Sequence, residues 1–323
     1  MSDTLSITAP TRRCPFLRLA ALSCLVVLLA PSLSQGQDSE ESSPFKTTWS
    51  GGLSLGLEYD TNVSVSEVDL SSGESDYAVT SEFKLQAKRG LNDTTDLSAS
   101  YSVSQSTYEE FSRVDRLTQI AGANINKDLG SMNGSVSAYY IDTQLDHDGF
   151  LEFIRLSPAL AGFVSKRWFL RGAYVYSKRT IDDRPERNAD TQTLEFDAYY
   201  FHRGLRSYFN FGVRYRDEDT GAPELTFTGP ALKARYIRRF NAYGKKAKLE
   251  ASFRFEERDY SSPEPTIDEK RADNRWRWKV DLELPLTERL KAQAYYSYGD
   301  FQSNLPRADF TQTIVGTRLQ FTW

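Results

Sequence analysis

Apolar and polar residues alternate one by one along most of the chain, the period of a β-strand with two unlike faces. In "WSGGLSLGLEYD" (49–60), Trp49, Gly51, Leu53, Leu55, Leu57 and Tyr59 share one face. The pattern returns at 77–88, 96–103, 193–200, 208–216 and 249–255. It is sharpest in "RWRWKVDLELPL" (275–286), where Trp276, Trp278, Val280, Leu282 and Leu284 alternate with Arg275, Arg277, Lys279, Asp281 and Glu283. The segments around 116–126, 136–145, 151–164 and 168–177 are less regular, but they fill the same spacing. With 225–240, 290–299 and 310–323 the count reaches about fourteen strands.

Connections alternate in length. Six short turns ("KRGLNDTT", "NKDLGSMNG", "SKRW", "FHRGLRS", "FNAYGKKA", "PLTERL") separate longer polar loops at 61–75, 105–115, 142–149, 180–190, 217–223, 257–274 and 300–308. Many strands reach the roughly 9–11 residues that cross a bilayer at a tilt. The expected fold is therefore all-β, a transmembrane up-and-down antiparallel β-barrel of about 14 strands. A secreted soluble β-sandwich is the competing reading. Strand length, alternating turn length and the aromatic ending argue against it.

Composition changes the picture in two ways. Mean hydropathy is −0.54, and past the N-terminus no run approaches the roughly 18 apolar residues of a transmembrane helix. A barrel needs none, because its closed ladder satisfies the backbone and only one face meets lipid. Aromatic residues are 13% of the chain, in keeping with interfacial girdles; Trp49, Tyr59, Tyr77, Trp168, Tyr200, Tyr208, Tyr215, Trp276, Tyr296, Tyr298 and Trp323 are candidates.

The N-terminus reads as a secretory signal. Arg12, Arg13 and Arg18 precede the apolar "FLRLAALSCLVVLLA" (16–30), and small residues follow in "PSLSQGQ". This divides the chain into a signal peptide (1–36), a polar periplasmic leader (37–45) and an outer-membrane barrel (46–323). The expected location is the cell outer membrane. Removing 1–36 takes Arg12, Arg13, Arg18 and Asp3 from a chain of 40 basic and 44 acidic residues, so the remainder stays mildly acidic. Both cysteines, Cys14 and Cys24, lie in that segment, so the rest can form neither a disulfide nor a thiolate metal site.

With the apolar face toward lipid, the charged face lines a lumen. The candidate pore-lining residues are Arg214, Arg216, Lys233, Arg235, Arg254, Arg275, Arg277, Lys279, Asp281, Glu283 and Arg318. Further basic residues on these later strands are Arg239, Arg258 and Lys291, with Glu250 and Glu256 opposing them. The early strands place Glu58, Asp60, Glu82, Asp96, Glu195 and Asp197 inside, with Lys84 and Lys88. A basic wall would focus the field on anions; alternatively, acidic and basic walls pair and close the lumen. Both alternatives stand at this point.

Catalysis has little support. The only histidines are His147, in a loop with Asp142, Asp146 and Asp148 but no serine or cysteine, and His202, at a turn. Neither offers a nucleophile–base pair. That acidic cluster, and Glu67, Asp69, Glu74 and Asp76 in the first loop, could hold a divalent ion weakly, but neither has the spacing of a coordination loop. No phosphate-binding glycine loop or nucleic-acid module is present.

Two segments carry a family resemblance. "YDTNV" (Tyr59, Asp60, Thr61, Asn62, Val63) ends the first strand, and "RDYSSPEPTIDEKRADNRW" (258–276) spans a late loop and strand. Both are similar to the β-barrel porins of proteobacteria. The best comparison is the barrel domain of surface lipoprotein assembly modifiers and of porin-like proteins found with exopolysaccharide genes. The resemblance implies a porin-like channel for small solutes, or else a non-conducting structural or surface-display barrel or a partner in polysaccharide or lipoprotein export. The assembly modifiers carry a helical-repeat domain before the barrel, whereas about ten polar residues precede the first strand here. Gly316, Leu319, Phe321 and Trp323 resemble the terminal signal read by the barrel-insertion machinery, with Trp in place of the usual Phe. Other expected partners are outer-membrane lipid and lipopolysaccharide. No cofactor and no nucleic acid are expected, and the barrel is expected to be a monomer.

Overall fold

A computed structural model describes residues 46–323; the expected signal peptide and leader lie outside the described residues. Fourteen antiparallel strands close into one barrel. They are β1 (Thr48–Asp60), β2 (Asp76–Asn92), β3 (Thr95–Tyr108), β4 (Arg116–Asp128), β5 (Asn133–Leu145), β6 (Asp148–Phe163) and β7 (Trp168–Ile181). The second half comprises β8 (Ala189–Tyr200), β9 (Ser207–Thr220), β10 (Phe227–Ala242), β11 (Lys245–Glu264), β12 (Glu269–Pro285), β13 (Leu290–Ser303) and β14 (Phe310–Thr322). Each strand pairs with its sequence neighbours, and β1 pairs with β14 to remove both edges.

The alternation puts apolar side chains on the outer wall. Leu55, Leu57, Leu194, Val213 and Trp278 are each more than half exposed there, an arrangement that suits a barrel surrounded by lipid. At the seam, the Gly51 and Trp323 backbones bond each other in both directions at 3.1 Å. The indole of Trp323 lies over Gly51, where an added Cβ would come within 2.3 Å of the ring. Aromatic cover of a glycine pins the register of the closing pair.

Two expected loops prove to be mostly strand. Residues 142–149 form a hairpin whose turn is Asp146–His147, both with positive φ (48° and 74°), as a two-residue turn between twisted strands requires. Residues 257–274 extend β11 and β12 into a projecting hairpin whose register shifts between Asp259 and Pro263. Polar alternation in these segments reads as loop because strands beyond the lipid band no longer need an apolar outer face.

Tyr208 corrects the girdle assignment. It pairs with Ile237 and lies on the face of Asn210 and Arg214, inside the barrel. There it joins Phe163, Phe169, Tyr199 and Phe201 in a lumenal cluster at the turn end, with centroid spacings of 5.0–6.4 Å.

A basic cavity beneath an inward-folded loop

The first loop, residues 61–75, folds into the barrel mouth. The "YDTNV" element makes the bend. The Asp60 carboxylate accepts the Asn62 backbone N–H (3.0 Å) and the Gln312 amide (2.8 Å). The Asn62 side chain donates to the Thr311 carbonyl and accepts from the Ser71 hydroxyl and the Gly73 N–H. Val63, Val65 and Val68 then pack against Phe111, Val114, Leu145, Phe150 and Ile181, the buried apolar cluster of the loop end. Burying each valine contributes about 1.5–3 kcal/mol.

Polar tethers hold the loop's far side. Asp69, itself in the left-handed region with φ 53°, accepts Arg271 at 2.9 and 3.0 Å, Arg187 at 3.0 Å and Arg275 at 3.5 Å. Burial alone would raise the Asp69 carboxyl pKa. The Arg271 hydrogen bonds outweigh that, with Arg187 and Arg275 adding to them, and the group is held well below the usual carboxylate range. Glu67 is likewise desolvated, yet its pairing with Arg116 at 2.8 Å keeps it ionised. These contacts withdraw Glu67 and Asp69 from the weak divalent-ion site considered above. Asp76 is also committed, to the N–H groups of Tyr77, Glu110 and Phe111. Among the described residues no group of His, Asp or Glu is arranged to hold a metal.

Beneath the loop lies a cavity of about 260 Å³ lined by eight arginines and four carboxylates. Of the candidate lining residues it gathers Arg216, Arg254, Arg275 and Arg277. The others lie elsewhere on the wall, and each is matched locally. Arg214 meets Glu195 at 3.2 Å, Lys233 meets Asp197 at 2.6 Å, and Arg235 meets Glu250 at 3.5 Å. Lys279 meets Asp281 at 3.2 Å, and Glu283 takes Lys248 at 2.7 Å. Arg318 bridges Glu58 at 3.6 Å and Glu82 at 3.9 Å.

Most of these pairs join nearby strands along the wall. Glu195 on β8 shows the pattern, accepting Arg155, Arg171 and Arg214 from β6, β7 and β9. The open choice between a basic lining and paired walls thus takes a third form. Charge is neutralised around the circumference, and the polar link across the mouth is the first loop with its tethers. Inside the cavity Glu256 takes Arg258 (2.6 Å) and Arg216 (3.3 Å), while Glu218 takes Arg179 (2.8 Å). Arg254 and Arg277 have no carboxylate within 4.0 Å among the described residues.

Sequence reading missed Arg187, Glu218 and Arg271, which lay in segments taken as loops, and Arg179, which fell just past the segment 168–177 assigned as strand. Aromatic rings position several guanidinium groups: Arg258 lies 4.5 Å from the Phe227 centroid, Arg271 4.7 Å from Tyr260 and Arg277 5.0 Å from Phe301. Gly316, placed in the insertion signal, faces the lumen beneath the Tyr295 ring, where a Cβ would lie 2.3 Å from that ring. Leu319, Phe321 and Trp323 lie on the outer face. His147 is at an exposed hairpin tip beside Asp146, and His202 stacks between Tyr200 and Tyr236.

No protein-family model matches the chain, and no curated protein matches it. Solved structures do resemble it. An anion-selective porin from Comamonas acidovorans is 9% identical, with a TM-score of 0.50 over 86% of this chain and 99% of that one. OmpT, an outer-membrane protein of Vibrio cholerae, is 11% identical, with a TM-score of 0.52 over 88% of this chain and 99% of that one. At such identity the likeness establishes the outer-membrane barrel fold and nothing finer.

Proposed function

We propose that this chain is an outer-membrane channel for small solutes, admitting anions ahead of cations, and that it is not an enzyme. The observation that carries the reading is the cavity under the first loop, where eight arginines face four carboxylates and Arg254 and Arg277 stand without an acidic partner. A basic surplus in a walled lumen raises the local concentration of anions and lowers that of cations. The anion-selective Comamonas porin has the same general barrel architecture. The loop end faces outward, Leu319, Phe321 and Trp323 serve insertion, and the barrel works as a monomer among lipid and lipopolysaccharide.

The test is the reversal potential of the refolded protein in a planar bilayer under a potassium chloride gradient. Wild type is expected to favour chloride, and Arg254→Gln with Arg277→Gln is expected to move the reversal potential toward the cation side. Equal selectivity in both proteins refutes the reading. Arg275 is the wrong residue for this test, because Asp69 and Asp273 hold it and its loss would disturb the loop. One observation favours a second reading, a non-conducting barrel of structural or export function: the first loop fills part of the mouth. In that case wild type passes no current, and cutting the loop's tether opens it.

A further inference from the structure

We infer that Arg254 and Arg277 form a clamp for a single dianionic phosphoryl group, either free phosphate or the end of a small phosphorylated solute. The inference deepens the channel reading and rests on it for the ligand's route to the site. The two residues are directly opposite each other on β11 and β12. Cross-strand partners on one face have Cβ atoms about 5 Å apart, and like charges there destabilise the sheet. Among the described residues, the other basic side chains assigned to this lumenal face have a carboxylate within 4.0 Å, except Arg239 and Lys291 at the turn end, away from the cavity. An uncompensated pair of directly opposed arginines at the cavity wall is therefore a departure from the pairing around it. It is the arrangement a bound dianion would neutralise.

Geometry favours a tetrahedral oxyanion over a carboxylate. Each guanidinium presents a planar fork of donors. A carboxylate has two oxygens and satisfies one fork, whereas a phosphoryl group has at least three and can meet both. The Arg277 guanidinium lies over Phe301 at 5.0 Å, which orients its plane without consuming its hydrogen-bonding edge. Both arginines are solvent-exposed within the barrel, and the adjoining cavity has room for a phosphoryl group with a short organic tail. Gly299, the β13 partner of Arg277, leaves the neighbouring position free of a competing polar side chain.

The test has two readouts on the refolded full barrel. Calorimetric titration measures equilibrium binding of inorganic phosphate, glycerol phosphate and succinate in chloride buffer. Bilayer recordings measure block of the chloride current by the same anions. Phosphate and glycerol phosphate are expected to bind and block, with succinate weaker. Tighter glycerol phosphate would identify a phosphorylated solute as the ligand, and equal affinities would identify free phosphate. Arg254→Gln and Arg277→Gln should each weaken binding by about tenfold or more through loss of charge-assisted hydrogen bonds. Arg254→Lys, which keeps the charge but not the fork, should fall between. Circular dichroism confirms that each variant is folded. Unchanged phosphate affinity in the double variant, or succinate binding as tightly as phosphate, overturns the clamp. Current without such binding leaves the channel and removes the clamp. Binding without current leaves the clamp and removes the channel.

Discussion

Asp69→Asn should release the first loop. The Asp69 carboxylate holds three guanidinium groups from two sides of the mouth, and the Arg271 side chain is fully buried. Removing one partner of a buried ion pair costs about 3–5 kcal/mol. Asp273 still engages Arg271 at 2.8 and 2.9 Å, so the lower end, about 3 kcal/mol, is the appropriate figure. The buried Val63, Val65 and Val68 remain and together supply roughly 5 kcal/mol. Losing about 3 kcal/mol should raise the undocked population by about two decades.

Val68 is only 3% exposed, and the chain from residue 37 onward has no cysteine, so Val68→Cys makes a single buried reporter thiol. In the refolded barrel, modification by a water-soluble thiol reagent should run about 100-fold faster with Asp69→Asn than without it, on that population shift. Single-channel conductance should rise in parallel. A labelling rate changed by less than about threefold would mean that the valine cluster alone holds the loop, and the argument from the tether would fail.

Glu195→Gln leaves Arg155, Arg171 and Arg214 around a neutral amide; thermal unfolding in detergent should show a loss of about 3 kcal/mol, and the reversal potential should move further toward chloride. Asp115, in the loop before β4, has its carboxyl pKa pushed up to about 6 by burial, partly offset by its bond from the Tyr108 N–H. Because the folded value exceeds the unfolded one, this group favours the folded state most below about pH 4 and loses that contribution as pH rises through about 6. The melting temperature should therefore fall between pH 5 and pH 8, and Asp115→Asn should reduce that fall. Asp69, held in the opposite direction, should keep the loop docked down to pH 4, which the Val68→Cys labelling rate checks. At Gly229 an added Cβ would lie 1.9 Å from the Glu257 carbonyl oxygen. Gly229→Ala should therefore cost about 2 kcal/mol or more, read from the urea midpoint.

The loop that begins at "YDTNV" reaches the late segment through Asp69. "YDTNV" turns the chain inward, and Arg271 and Arg275 of the late segment, themselves held by Asp273, donate to Asp69 at the far side of the mouth. Their separation in the chain, more than 200 residues for Asp69 and Arg271, explains why the link could not be read from either alone.

Barrel class and strand number were legible in the amino-acid order, as was the existence of one apolar and one charged face on the regular strands. A period of two leaves each strand only two possible orientations, and the cost of burying charge in lipid selects one. Tyr208 shows the limit of that logic, because an aromatic ring is tolerated on either face near the turn end. Which charges are neutralised depended on register between strands. Arg254 and Arg214 occupy similar places in their own strands, yet Glu195 lies beside one and Arg277 opposite the other. The inward course of residues 61–75 depended on more still. Its polar composition reads as a surface loop, and only closure of the barrel brings arginines from β4, β12 and the β7–β8 loop within reach of two carboxylates. Local alternation sets the wall, whereas the contents of the mouth follow from charges that meet only once the ring is closed.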